Sequence, residues 1–341
     1  MANAAREVKV TKMSRRTITI GDRLIGDGHP LFVIAEGGIN HSGDMDKAIM
    51  LVDAAAESGA DAIKFQYHLA EDEMLPGGFS AGYIGGSFFD LMKSVELSFE
   101  QNLELKEYAE SKGLIFLSTP FSREATDLLD KLGVQAFKTG SGELTNLPLQ
   151  GHIARIGKPM IISTGMSTME DIRETFDFVT AINPEVIILH CVSTYPTPYS
   201  DMSLNVIGEL RRTLPVPSGF SDHSPGIFAP LAAAALGANV IEKHFTIDRS
   251  WPGPDQAGSL EPHELAEVVK GVRAIESGLS ATKRVTSEEV DVQKMARESV
   301  VSLLAIPAGS SITEDMIWVK RPGTGIPARE YWNIVFDCKT S

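Results

Sequence analysis

The sequence predicts an α/β fold in which eight parallel strands close into a (β/α)8 TIM barrel, followed by a small β-rich module. Three observations carry this prediction. Eight short apolar runs alternate with stretches of helical periodicity over roughly 250 residues. Each run ends in a polar or glycine-rich turn. The first run leads into Ala35-Glu36-Gly37-Gly38-Ile39-Asn40-His41, without the Gly-x-Gly-x-x-Gly loop that an open doubly wound sheet usually carries after its first strand.

Residues 1–30 read as a lead-in. Thr17-Ile18-Thr19-Ile20 alternates and Gly21-Asp22 punctuates, which predicts a hairpin. The barrel is expected over residues 31–278. Its strands are Leu31–Ala35, Ala62–Phe65, Ile115–Ser118, Ala136–Thr139, Met160–Ser163, Val186–His190, Val216–Phe220 and Val240–His244. Its helices are Asp46–Ser58, Phe99–Lys112, Arg123–Leu132, Leu147–Ile156, Met169–Ile182, Leu204–Leu214, Gly226–Leu236 and Glu261–Ser277. The second strand–helix connection, Tyr67 to Leu97, is long and holds Gly77, Gly78, Gly82, Gly85 and Gly86. In a barrel it lies on the catalytic face and reads as a lid. Residues 279–296 are a polar linker. Residues 297–341 form the β-rich module, with Ser299–Ile306, a turn at Pro307-Ala308-Gly309-Ser310 and the loop Lys320-Arg321-Pro322-Gly323. About 45 residues is small for an independent core, so this module should lean on another surface.

Composition bounds the function. Apolar content of 43% and charged content of 22% describe an ordinary soluble globular protein. No apolar run is long enough to span a membrane. Basic residues near the N-terminus (Arg6, Lys9, Lys12, Arg15, Arg16) are followed by no apolar signal region. A net charge of -14 argues against a nucleic-acid partner but permits an anionic small substrate in a locally positive pocket. Cys191 and Cys338 stand far apart, which is no disulfide framework and fits a reducing, cytoplasmic location.

Chemistry is expected where the barrel strands end. The polar residues there are Glu36; Lys64 and Gln66; Ser118 and Thr119; Lys138, Ser141 and Glu143; Ser163 and Thr164; Ser193 and Tyr195; Ser221, Asp222 and His223; and Glu242, His244 and Asp255. Lys64 and Lys138 are flanked by apolar residues, and a buried lysine needs a counter-charge. An anionic phosphate or carboxylate ligand is the economical reading, helped by the serines. A Schiff-base lysine is the alternative. His223 and His244 end adjacent strands and make half of a divalent-metal site, the metal serving as Lewis acid with water and substrate completing the shell. Taken singly, each is better explained by packing or hydrogen bonding at a strand end than by metal ligation. Glu36 and Glu143 are candidates for proton transfer. His190 and Cys191 read as core, and His29, His152 and His263 as surface. His41 and His68 fit either the pocket or loop packing.

At these residues the sequence resembles the sialic acid synthase (N-acetylneuraminate synthase) family. Nine motifs carry the resemblance: Ile34-Ala35-Glu36 through Asn40-His41 and Gly43; Ile63-Lys64-Phe65-Gln66; Ser118-Thr119-Pro120-Phe121; Lys138-Thr139-Gly140-Ser141-Gly142-Glu143; Ser163-Thr164-Gly165-Met166; His190-Cys191 through Tyr195-Pro196; Ser221-Asp222-His223-Ser224; Glu242-Lys243-His244-Phe245-Thr246; and Gly253-Pro254-Asp255. The resemblance implies a TIM barrel followed by an antifreeze-like (SAF) domain. It implies a transferase that condenses phosphoenolpyruvate with an N-acetylated amino sugar, such as N-acetylmannosamine or a 2,4-diacetamido hexose, to give a nonulosonic acid and phosphate. His223 and His244 match the metal ligands, usually for Mn2+, with Mg2+ or Co2+ as alternatives. Lys64, Lys138, Ser141, Ser163 and Ser221 match phosphoenolpyruvate contacts, and Gln66, Tyr195 and Asp255 match sugar contacts. Glu36 matches a proton shuttle. Arg321 matches an arginine that reaches the sugar of the other protomer in a domain-swapped homodimer. There are two departures. Ser193 stands where some members carry asparagine, at a substrate contact. The chain also stops at Ser341 where members continue with a further strand pair, so the SAF domain is expected to be incomplete. A Schiff-base pyruvate aldolase and a non-catalytic ligand-binding homologue are the competing readings.

Overall fold

The structure, a computed structural model, describes residues 15–77, 87–279 and 282–337. Arg6, Lys9 and Lys12, the lid glycines Gly78, Gly82, Gly85 and Gly86, and Cys338 with the residues after it lie outside the described residues. The chain divides after Leu279 into two compact units.

The first unit contains eight parallel strands: β1 (Phe32–Gly38), β2 (Ala62–Tyr67), β3 (Ile115–Pro120), β4 (Phe137–Thr139), β5 (Met160–Ser163), β6 (Val186–Cys191), β7 (Ser218–Asp222) and β8 (Val240–His244). Their order is β3-β2-β1-β8-β7-β6-β5-β4. β8 pairs with β1, so first and last strands are neighbours. The two ends of the order, β3 and β4, stand side by side, which rolls the sheet into a TIM-like barrel. The principal helices outside it are α1 (Met45–Glu57), α2 (Phe99–Ser111), α3 (Arg123–Leu132), α4 (Leu147–Ile156), α5 (Met169–Thr180), α6 (Asn205–Thr213), α7 (Phe228–Ala235) and α8 (Pro262–Gly278). Local chemistry starts and stops them. Asp44 caps α1 by accepting from Asp46 N and Lys47 N, and Thr168 and Asp171 form a reciprocal capping box on α5.

Alternation along the strands sorts side chains into two layers. Val33, Ala35, Ile63, Phe65, Phe116, Ile162, Ile188, Phe220 and Ile241 face the helices and pack with Leu51, Leu105, Leu129, Ile207 and Val268. Phe32, Ile34, Ala62, Ile115, Leu117, Ala136, Ile161, Ile187, Leu189 and Val240 face the barrel axis. The predicted hairpin forms from Ile18–Ile20 and Arg23–Ile25, and its buried Ile18, Ile20 and Ile25 join this inner cluster. The lower barrel is therefore solid. The axis is so full at β7 that a Cβ on Gly219 would lie 2.7 Å from Leu189 Cδ2 and 2.8 Å from Val240 Cβ. One or two residues further along each strand, the same inward face turns polar.

Several strands run past the expected ends: β1 to Gly38, β2 to Tyr67, β3 to Pro120 and β7 to Asp222. The extra residues are polar or small, so an apolar run stops before the hydrogen-bonded ladder does. The second unit pairs Ser299–Ser302 antiparallel with Ile317–Lys320 and adds the short helix Tyr331–Asp337. Its small core is Ile317, Tyr331 and Val335, with Val300, Ile306, Ile312, Met316, Val319 and Ile334 packed around it.

Candidate active site

A cavity of about 450 Å³ opens at the C-terminal ends of the strands. The inward, polar positions of the barrel line it: Glu36, Lys64, Gln66, Thr119, Lys138, Ser141, Glu143, Ser163, Cys191, Ser193, Tyr195, Ser221, His223, Glu242, His244 and Asp255. Every barrel residue given a catalytic, binding or metal role from the sequence is in this set. Arg321 is not; it lies in the second unit, on the exposed turn after Ile317–Lys320.

Strand register explains the convergence. Glu36 is paired with His244 on one side and Lys64 on the other, and Glu242 is paired with Ser221. Lys64 Nζ is 2.7 Å from Glu36 Oε2 and donates to Thr119 Oγ1 at 3.1 Å. Lys138 Nζ donates to Ser163 Oγ at 2.7 Å and to Thr139 O at 2.9 Å. Glu242 Oε1 lies between the two ammonium groups, 3.8 Å from Lys64 and 3.7 Å from Lys138, and accepts from Ser221 Oγ at 3.0 Å. Its Oε2 has no hydrogen-bond partner. Two buried ammonium groups therefore share Glu242, and Lys64 also faces Glu36.

These groups shift one another. Burial pushes the Glu36 carboxyl up and the neighbouring Glu242 charge adds to this, against the pull of Lys64. Burial works the same way on Glu242, but Lys138 and Lys64 outweigh it and hold that carboxyl low. Burial lowers Lys138, whereas for Lys64 the Glu242 and Glu36 charges overcome burial and raise it. Burial also raises Glu143 and Asp255. The pocket thus holds one carboxylate kept low, Glu242, and three carboxyls that burial makes easier to protonate, Glu36, Glu143 and Asp255. Such carboxyls beside two lysines can take up or give a proton.

Ser141 opens the short turn after β4, and its Oγ accepts from Gly165 N at 2.9 Å. Gly165 is required here, because a Cβ would meet Ser193 Oγ and approach Ser141 Oγ to 2.7 Å. On the other wall, Gln66 Nε2 donates to Glu36 Oε1 at 3.2 Å, and His68 holds Gln66 Oε1 at 3.0 Å. His68 is stacked on Phe121 with ring centres 4.3 Å apart. It belongs to the pocket, whereas His41 is buried outside the lining.

The two histidines meet as the strand order requires, with ring centres 5.3 Å apart. His244 Nδ1 is buried without a hydrogen-bond partner, and Asp255 Oδ2 is 4.0 Å away. Burial, with the His223 and lysine charges, holds His244 well below its ordinary value, whereas at His223 the Cys191 contact outweighs burial and raises it, so a cation on both rings would displace a proton from His223. His223 Nδ1 contacts Val192 O at 2.8 Å, which leaves Nε2 facing Tyr195 OH at 3.0 Å. An unpartnered neutral imidazole nitrogen beside a second imidazole and a carboxylate fits a divalent cation. Among the described residues no group of three or more His, Cys, Asp or Glu is gathered to hold one unaided.

Two sequence readings need correction or extension. Cys191 was expected in the core with His190. His190 does point outward and bonds Met202 O at 2.7 Å, but Cys191 lines the cavity, with Sγ 3.7 Å from His223 Nδ1. The alternation Ile187, Leu189, Cys191, Ser193 on one face signals this, and an apolar-run reading hides it. Glu242, noted only as a polar strand residue, turns out to be the shared counter-charge of both lysines. Its position two residues before His244 on the same face is the signal.

A protein-family model described as the NeuB family matches residues 51–284. The chain belongs to the NeuB family. It is 45% identical over 327 residues to an uncharacterised protein of Methanocaldococcus jannaschii, covering 94% of each chain. It is 38% identical over 322 residues to the N,N'-diacetyllegionaminic acid synthase of Legionella pneumophila, covering 91% of this chain and 90% of that one. Among solved structures, the N-acetylneuraminic acid (sialic acid) synthetase of Leptospira borgpetersenii superposes with a TM-score of 0.74 at 34% identity, covering 82% of this chain and 95% of that one. This NeuB-family chain is an enzyme of the sialic acid synthase kind.

Proposed function

We propose that this enzyme condenses phosphoenolpyruvate with the open-chain aldehyde of an N-acetylated amino sugar, with water, to give a nonulosonic acid and inorganic phosphate. The observation that carries the reading is the pair of buried lysines, Lys64 and Lys138, on the cavity wall shared with His223 and His244. Lys138 with Ser163, and Ser141 with the Gly165 N–H, form a cradle for a small polyanion. Lys64 would join Lys138 in holding phosphoenolpyruvate, and Gln66, Tyr195 and Asp255, which line the same cavity, would contact the sugar.

In the reaction, C3 of phosphoenolpyruvate bonds to the aldehyde carbon, and the aldehyde oxygen takes a proton. Water adds to the resulting cationic C2 and loses its proton. The tetrahedral carbon then expels phosphate by breaking its C–O bond, leaving the 2-keto acid. Glu36 is placed for the proton traffic, because it contacts Lys64 and Gln66 and takes a proton readily. A divalent cation held by His223 and His244, most simply Mn2+, would polarise the aldehyde oxygen. Lysines and serines offset charge at the phosphate and carboxylate.

The sugar is N-acetylmannosamine, its 6-phosphate or a 2,4-diacetamido hexose; the relatives' names include a legionaminic acid synthase, an N-acetylneuraminate-9-phosphate synthase and a sialic acid synthetase. Phosphate release assayed with each sugar and Mn2+ tests the reading, and no release with any of them sinks it. A second reading is favoured by one observation: burial lowers Lys138, the state of a Schiff-base amine. Borohydride trapping with pyruvate, and turnover that survives EDTA, would support an aldolase instead. We further propose a homodimer in which the C-terminal unit of one protomer covers the barrel of the other and delivers Arg321. Trp318, Ile326 and Trp332 of that unit are each about half exposed, an apolar surface suited to a partner. A monomeric mass in solution would contradict this.

A further inference from the structure

A buried ion pair stands behind the histidines and takes no part in the chemistry above. Lys243 Nζ and Asp222 Oδ2 are 2.7 Å apart, and both side chains are 0% exposed. Asp222 and Lys243 are register partners on β7 and β8. Each directly precedes one of the two histidines. Alternation sends them to the outer face of the barrel, on the side of Glu264 in α8. The pair also grips the turn beyond β7 from both sides. Asp222 Oδ1 accepts from Ser224 N at 2.8 Å, and Lys243 Nζ donates to Ser224 O. His223 lies between these anchored points, with its Nδ1 held by Val192 O.

Taking two charges out of water is costly, and two apolar side chains of similar volume would fill the same space at least as favourably. An apolar pair could not hold Ser224 at both its N–H and its carbonyl. The distinctive effect of this pair is therefore on the backbone that carries His223.

We propose that Asp222 and Lys243 are positioning residues that clamp the His223–Ser224 turn against β8, fix the two imidazoles relative to each other, and so set the affinity for a divalent cation. The proposal rests on the reading of His223 and His244 as cation ligands. Groups that orient metal ligands typically change affinity by about 10- to 100-fold when removed.

The test uses the full-length protein without substrates. Mn2+ binding is measured by the electron paramagnetic resonance of free Mn2+, and thermal unfolding is followed in parallel, for Asp222→Asn, Lys243→Met and the double variant. Each single variant is expected to raise the Mn2+ Kd at least tenfold. The double variant strands neither charge, so its unfolding midpoint should return towards wild type while its Mn2+ Kd stays raised. That split separates positioning from general stability, and the double variant carries the test if a single variant does not fold. Wild-type Kd in the double variant would overturn the clamp while leaving the cation reading intact. A wild-type protein that binds neither Mn2+ nor Mg2+ nor Co2+ would overturn both.

Discussion

Glu242 Oε1 lies 3.7 Å from Lys138 Nζ, and the same oxygen is 3.8 Å from Lys64 Nζ. One carboxylate thus serves two buried cations before any ligand arrives. An incoming phosphate or carboxylate would compete with Glu242 for the two lysines. Glu242→Gln is expected to leave the lysines with excess positive charge, so inorganic phosphate should bind several-fold more tightly by calorimetry. The unfolding midpoint should fall, because breaking a buried pair on one side costs about 3–5 kcal/mol. Unchanged phosphate affinity would contradict the shared role.

Lys138 has Glu242 Oε1 at 3.7 Å and donates to Ser163 Oγ and Thr139 O, whereas Lys64 also has Glu36 Oε2 at 2.7 Å, so Lys138 is the less neutralised ammonium for the proposed anion. Lys138→Met should lower kcat/KM for phosphoenolpyruvate by about 10- to 150-fold, given the roughly 1.5–3 kcal/mol of a charged hydrogen bond. Lys138→Arg should not restore it, because a planar guanidinium does not fit a position built for a compact ammonium.

Gly165 marks the closest approach of backbone to the serine cradle. Gly165→Ala is expected to push Ser141 and Ser193 apart and raise KM for phosphoenolpyruvate about tenfold, with a stability loss of about 1–3 kcal/mol. A variant with wild-type KM would show that the cradle is not where the phosphate sits.

His41 gives an acid-sensitivity prediction. Burial, reinforced by His68, lowers it to about 4. An unfolded chain protonates this ring near pH 6.5, so stability falls as pH drops from about 6.5 towards 4. Between pH 7.5 and pH 5 the loss from this ring is about 2 kcal/mol. His41→Gln keeps an acceptor for the Gly43 N–H, which now bonds Nδ1 at 3.0 Å. Urea unfolding at the two pH values should show the gap between wild type and variant moving by about that amount in the variant's favour. An equal fall in both would contradict the assignment.

Much of the barrel was legible because its strands are buried on both faces and read as apolar runs between turn signals. The polar site was legible for the same reason: Lys64, Lys138 and Glu36 stand out against such runs. Less legible was the inward face where it carries residues that also suit a core. Cys191 looked like packing, and only the two-residue period places it beside His223. Glu242 looked like one polar residue among several, since its importance depends on two lysines more than 100 residues before it in the chain. His68 could not be assigned from sequence because its place depends on stacking against Phe121, a contact made by tertiary structure alone.

Carbon–carbon bond formation with loss of phosphate by C–O cleavage is tested most directly with phosphoenolpyruvate carrying 18O at the bridging oxygen, incubated with Mn2+ and each candidate N-acetyl sugar. The label is expected in the released phosphate, with release that depends on both sugar and cation. Unlabelled phosphate, or sugar-dependent turnover of pyruvate that persists in EDTA and is trapped by borohydride, would contradict it.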